Sequence, residues 1–346
     1  MKHYNSIDFL RVVFSVFVII GHTNRIFFPN AAKDFSLQNM SVDVFFIISG
    51  FFLASSIFTR KSILTEDNLY IEITIRRLKR LYPMFLFSFI FGILLLSITD
   101  SNFLNSFYKS LWTNLFLLGG LGEIPRVGSS WYVAALFWAG LIVSALLIYN
   151  RNSVIFWNPL IISTLLIYIY SKWGGLCLIS KPLVDGWLSG GFMKALCDLL
   201  IGVEIFYFSG KFDAIISKLR NKRFLICVTE IICTIGIAHC LSRGGIRKTD
   251  FLILFFIPLL MLIFVTKNEI LYRFSESNVW AFLGKYTYAV YLMHAFLLSI
   301  LKDAFQWQNN WKTYTFCSFV CFLFGVASYY IQILSFRIAK KMLIRD

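Results

Sequence analysis

DFLRVVFSVFVIIGHTNRIFF, residues 8–28, carries one carboxylate, two arginines and one histidine among mostly apolar neighbours. As an α-helix rising about 1.5 Å per residue, it is about 30 Å long, the hydrocarbon thickness of a bilayer. Nine further apolar stretches of comparable length follow, at 39–58, 83–99, 129–149, 154–171, 188–209, 224–241, 250–266, 278–302 and 313–336. Composition agrees. Hydrophobic residues make up 58% of the chain and charged residues 15%, too few polar groups to clothe a water-soluble fold. The mean hydropathy of +0.72 points the same way. The expected fold is therefore all-α: a polytopic integral membrane protein of about ten transmembrane helices, in one domain spanning 1–346.

Loop charge sets the orientation. The 59–82 segment holds Arg60, Lys61, Arg76, Arg77, Lys79 and Arg80, and the 210–223 segment holds Lys211, Lys218, Arg220, Lys222 and Arg223. Cytoplasmic loops carry such an excess of cations. The carboxyl-terminal tail adds Arg337, Lys340, Lys341 and Arg345. All three fall on one side if the stretch 103–121, interrupted by Asn105, Lys109 and Asn114, is a re-entrant or interfacial helix that does not cross. Both termini are then cytoplasmic. Arg243, Arg247 and Lys248 run against the trend, lying outside in this scheme. The formal charge of +15 reflects these loops rather than a nucleic-acid surface. No cleaved signal peptide is read at the amino terminus, since Arg11 enters the apolar run early and no small-x-small site follows. The seven cysteines fall mostly within apolar spans, behave as small hydrophobes and suggest no metal site.

Ionisable groups inside apolar spans cost about 2.5–3.5 kcal/mol each near the helix centre, so each is a functional candidate. Arg11 and His22 share a face of the first helix, since eleven residues make about three turns, and they stand about 16 Å apart. Singly, Arg11 reads equally as an anchor reaching the headgroups with Asp8 as its i,i+3 partner, and His22 as an interfacial histidine. Asp43 enters the second helix at nearly the depth of His22, where a carboxylate would fix the imidazole's tautomer as a general base requires. Its plain alternative is an acid favoured by the helix dipole. Ser49 and Gly50 suit close helix packing.

In ITIRRLKRLYP (73–83), Arg77 and Arg80 sit i,i+3 before a helix beginning at Pro83, with Arg76 pointing elsewhere. Arginines in such a cluster suit phosphate, or equally an anionic lipid surface. LGKYTYAVYLMH (283–294) sets Tyr288, Tyr291 and His294 along one helical face. Lys194 and Asp198 make an i,i+4 pair that reads as structural.

These residues resemble the acyltransferase type 3 family, many of whose members O-acetylate bacterial surface polysaccharides. The resemblance rests on an ordered set covering nearly the whole chain: IDFLRVVFSVFVIIGH (7–22), SVDVFFIISGFF (41–52), RRLKRLYP (76–83), WYVAALFW (131–138), GGFMKALCDLLIGVEIFY (190–207) and LGKYTYAVYLMH (283–294). It implies acyl-transfer roles for Arg11 and His22, with Asp43 beside the histidine and His294 as the family's late histidine. It implies that Arg77, Arg80 and the neighbouring Arg76 hold an acyl-CoA donor, most simply acetyl-CoA. Trp131, Tyr132, Tyr288 and Tyr291 become candidates for substrate contact. Two departures bear on the acceptor: no acid follows Trp131, and Lys194 stands where arginine is common. The implied protein is a multi-pass enzyme of the bacterial inner membrane. It would acetylate a polysaccharide or lipid-linked glycan among membrane lipids, with no metal and no nucleic acid. Two other classes compete: a proton-coupled transporter or flippase of a glycan intermediate, using His22, Asp43 and His294 as a relay, and a non-catalytic subunit of an assembly complex. A transporter would carry inverted repeats, and no internal repeat is visible in the sequence.

Overall fold

The computed structural model describes residues 3–30, 37–60, 64–99, 111–118, 129–176, 182–184, 188–218, 222–242, 248–266 and 272–343. Among them the chain is almost entirely helical. In order come α1 (Asn5–Phe27), α2 (Leu37–Arg60), α3 (Glu66–Thr99), α4 (Ser130–Tyr149) and α5 (Arg151–Trp173). A two-stranded antiparallel ribbon follows, β1 (Pro182–Val184) with β2 (Leu188–Ser189). Then come α6 (Gly190–Ser217), α7 (Lys222–Leu241), a 3₁₀ turn at Lys248–Leu252 and α8 (Ile253–Val265). The short α9 (Tyr272–Ser275), α10 (Asn278–Gly284), α11 (Thr287–Leu301) and α12 (Trp311–Leu343) complete the order.

Eight of the described segments are long and apolar enough to cross a bilayer. α6 is as long but carries Lys194, Asp198 and Glu204, and α11 is shorter, at fifteen residues. The protein is thus an all-α, multi-pass membrane protein. Its outward faces agree: Phe156, Trp157, Leu160 and Ile167 of α5 are 51–74% exposed, an apolar surface suited to lipid.

The structure corrects two expectations. The segment carrying Arg76, Arg77 and Arg80 is not a loop leading to a helix at Pro83. It is the first half of α3, which begins seventeen residues earlier with Glu66 and Asp67 in its first turn and continues through Pro83. First-turn acids suit the helix dipole, and Glu72 pairs with both Arg60, at 2.9 Å, and Arg76. Together these hold a polar half-helix that hydropathy alone would not mark. The ninth apolar stretch, 278–302, is not one helix but two, broken at Lys285 and Tyr286 between α10 and α11. At the break the Thr287 hydroxyl donates to the Gly284 carbonyl, at 2.8 Å.

Partnerships fix the helix directions. Tyr149 donates to Asp67 at 2.6 Å and Arg77 to the Leu136 carbonyl at 2.6 Å, so α3 and α4 run antiparallel. The end of α3 and the start of α4 therefore lie toward one end of the bundle. Between them, residues 111–118 meet the bundle: the Leu115 carbonyl accepts from Tyr82 at 3.2 Å and that of Leu117 from Trp138 at 2.9 Å. The rest of 103–121 lies outside the described residues, as do Lys61, Arg220, Arg243, Arg247 and Arg345. At the centre, α2 and α6 meet backbone to backbone. A Cβ on Gly50 would run into the Leu199 carbonyl, and one on Gly202 into that of Ile47. With Asp43 opposite Lys194 and Gly50 opposite Leu199, these two helices run parallel.

Candidate active site

At the end of the bundle where α1 begins, Asp8 is 3% exposed. It accepts from Arg11 at 2.7 Å and pairs with His3 at 3.0 Å. This satisfied carboxylate borders a cavity of about 520 Å³ between α1, α3, α11 and α12. A second cavity, of about 240 Å³, opens between α2, α3 and α4. A narrow third, of about 60 Å³, lies among Arg11, Phe45, Ser49, Tyr132, Tyr288 and Tyr291. Arg80 borders all three. The three spaces therefore adjoin around one guanidinium.

The other two arginines expected to act with it are placed differently. Arg77 lies flat across Gly140, where any Cβ would collide with its guanidinium, and gives one N–H to the Leu136 carbonyl. Its buried Nε has no partner among the described residues. Arg76 is 57% exposed and held by Glu72 at the wall of the second cavity.

From Arg80 the narrow cavity leads to a cluster of aromatic rings. Tyr132 and Tyr291 stand 4.7 Å apart between ring centres, with Phe45 at 6.5 and 6.0 Å from them. Tyr288 donates to the Leu81 carbonyl at 2.9 Å. Trp131 stacks edge-on against Phe46 at 6.4 Å and lines none of the three cavities. Beyond Tyr291, at 5.8 Å between rings, is His294, which is fully buried. Its Nδ1 lies 2.6 Å from the Tyr291 carbonyl. A carbonyl only accepts, so this bond assigns the hydrogen to Nδ1 and leaves Nε2 as a lone-pair acceptor. That Nε2 has no hydrogen-bond partner among the described residues. The half-buried His22 lies 4.9 Å away between ring centres.

The structure thus brings His22 to His294 and does not bring it to Asp43. Asp43 faces the opposite way, 2.5 Å from the Lys194 ammonium. Lys194 also donates to the Leu176 carbonyl at 2.9 Å, and Asp198 adjoins the pair. The reason lies in helix register. Asp43 is seven residues from Gly50, two turns along one face, and that face is the one pressed against α6. Depth differs as well: Gly21 abuts Gln38, so Asp43 lies five residues, about 7.5 Å, further along α2 than the part of it that meets His22's neighbour. Sequence reasoning also missed Gly140, whose only signal is a missing side chain where α4 passes Arg77.

A family model described as "Acyltransferase domain" matches residues 4–330. The chain belongs to the acyltransferase type 3 family. Among curated proteins, none matches it. In this acyltransferase the motif residues Arg11, Arg80, Tyr132, Tyr288, Tyr291, His294 and His22 are neighbours in space, in that approximate order along the bundle. Arg11 and His22 mark its two ends, about 16 Å apart by helical rise.

Proposed function

We propose that this acyltransferase moves an acetyl group from acetyl-CoA to a hydroxyl of a surface polysaccharide or lipid-linked glycan, in the bacterial inner membrane with both termini cytoplasmic. The observation that carries the reading is the row from Arg80 to His22: cation-lined cavities at one end, an imidazole pair at the other, and tyrosines between. Coenzyme A has matching anatomy, with phosphates at one end and a thioester at the end of a long, narrow arm. The parallel run of α2 and α6 supports the topology, since it is what a non-crossing 103–121 segment requires.

The chemistry balances with this chain's own residues. His22 takes the proton from the acceptor hydroxyl. The oxygen attacks the thioester carbonyl, the C–S bond breaks, and the imidazolium returns the proton to the departing thiolate. His294, holding its hydrogen toward the Tyr291 carbonyl, offers Nε2 to orient His22, the part first expected of Asp43. The oxyanion, formed beside the imidazole pair, is stabilised by Tyr291, which lines the narrow cavity with its ring 5.8 Å from that of His294. Purified protein given acetyl-CoA labelled in its acetyl group and a glycan acceptor tests this. Label should appear in an ester on the glycan. Thioester left intact with every acceptor hydroxyl supplied would refute it.

A further inference from the structure

The two larger cavities differ in what they leave free for a ligand. In the smaller, Arg60 and Arg76 share Glu72, and Arg77 is bonded to the Leu136 carbonyl. In the larger, Lys79, Arg80 and Lys285 line the wall, and none makes an ion pair among the described residues. Its one carboxylate, Asp8, is already taken by Arg11 and His3. The wall therefore carries uncompensated positive charge. Thr287, Tyr288 and Ala289, the first turn of α11, open on the same space, and first-turn N–H groups favour an anion.

Beside Lys285 stand Tyr329 and Gln332 of α12, the Lys285 ammonium 5.1 Å from the centre of the Tyr329 ring, so that an adenine would share the ring with it. Gln332 is only 8% exposed, borders the cavity, and makes no hydrogen bond among the described residues. The amide itself opens on the cavity, where an entering ligand can bond it. An amide and an aromatic ring on one wall are the groups that read and stack a purine, as glutamine does with the N6/N7 edge of adenine.

Resting on the acyl-CoA reading above, we propose that this larger cavity binds the 3′-phosphoadenosine end of the donor. Lys79, Lys285 and the first turn of α11 hold the 3′-phosphate, and Tyr329 and Gln332 hold the adenine. Arg80, where the cavities meet, takes the diphosphate from which the pantetheine arm turns toward Tyr132. A lipid headgroup offers the same phosphate chemistry but no purine, and the amide–ring pair selects the nucleotide.

The test uses the full chain in phosphatidylcholine nanodiscs. By calorimetry, adenosine 3′,5′-bisphosphate should bind at least about tenfold more tightly than 5′-AMP, the worth of one charge-assisted contact. Lys285→Met should erase that difference while leaving 5′-AMP affinity unchanged, which also shows that the variant folds. In turnover, Lys285→Met should raise KM for acetyl-CoA at least about tenfold and leave KM for acetyl-3′-dephospho-CoA unchanged. Equal affinity for the two nucleotides, or an equal rise in KM for the two donors, would overturn the assignment. So would phosphatidylglycerol nanodiscs that abolish nucleotide binding, which would mark the occupant as a headgroup. Selective bisphosphate binding without acetyl transfer would sustain the nucleotide site and refute only the acyl donor.

Discussion

Replacing Lys194 with methionine keeps the length and flexibility of the side chain and removes its charge. Lys194 is 3% exposed, Asp43 1% and Asp198 0%, so the ammonium is the cation that two carboxylates face in the seam between α2 and α6. Breaking a buried pair by removing one partner costs about 3–5 kcal/mol, because a buried charge is left unpaired. At about 1.4 kcal/mol per tenfold, that is a loss of two to more than three orders of magnitude in the folded-to-unfolded ratio. The structure adds a sharper expectation. Lys194→Met combined with Asp43→Asn removes both charges of the 2.5 Å pair, so the double variant should recover part of the loss, the remainder belonging to Asp198 left without its cation. Unfolding in mixed micelles titrated with dodecyl sulfate, followed by tryptophan fluorescence, measures all four corners of this cycle. A coupling below about 0.5 kcal/mol would refute the pairing, since residues in contact in one network couple by more. The folded double variant should also keep turnover and donor KM within a few-fold of the parent. A well-folded double variant without activity would return Asp43 to the catalytic set.

Other expectations follow from the same geometry. His22→Gln keeps size and polarity, so transfer should fall by about 10²–10⁴-fold with donor binding intact; near-normal turnover would pass the role of base to His294. Arg80→Ala should raise the KM for acetyl-CoA by about ten- to a hundredfold. Arg76→Ala, which frees only an exposed pair with Glu72, should change it little by the same steady-state assay. A topology reporter fused after residue 122 should read as external and one after residue 217 as cytoplasmic; a cytoplasmic signal at 122 would show that 103–121 crosses.

The helices were legible because a span that must face lipid declares itself locally, in its own run of apolar side chains. Arg11 and His22 were legible for the same reason, both lying on one face of one helix. What failed was everything set by a second helix. Asp43 looked like a partner for His22 by depth alone, and only the glycine contact with α6 decides which way it points. Lys194 looked like a local partner for Asp198, while its 2.5 Å bond goes to another helix. The start of α3 was hidden because only Leu69 and Ile73 of its first turns are buried, and the charged residues between them, Glu72 paired with Arg60 among them, break the apolar run. Lys79 was legible only as loop charge, Lys285 only as part of LGKYTYAVYLMH and Gln332 not at all; they line one cavity only where α3, the α10–α11 break and α12 converge.

The contact of α2 with α6 has a mechanical consequence. Where Gly50 and Gly202 bring two backbones together, no side chain lies between them to change rotamer and absorb a shift. Sliding or rolling one helix on the other would drive carbonyl oxygens into Cα atoms, and the Lys194 bond pins the same seam farther along. The pair is therefore the stator of the molecule. Any rearrangement of the surrounding helices must take place against that seam.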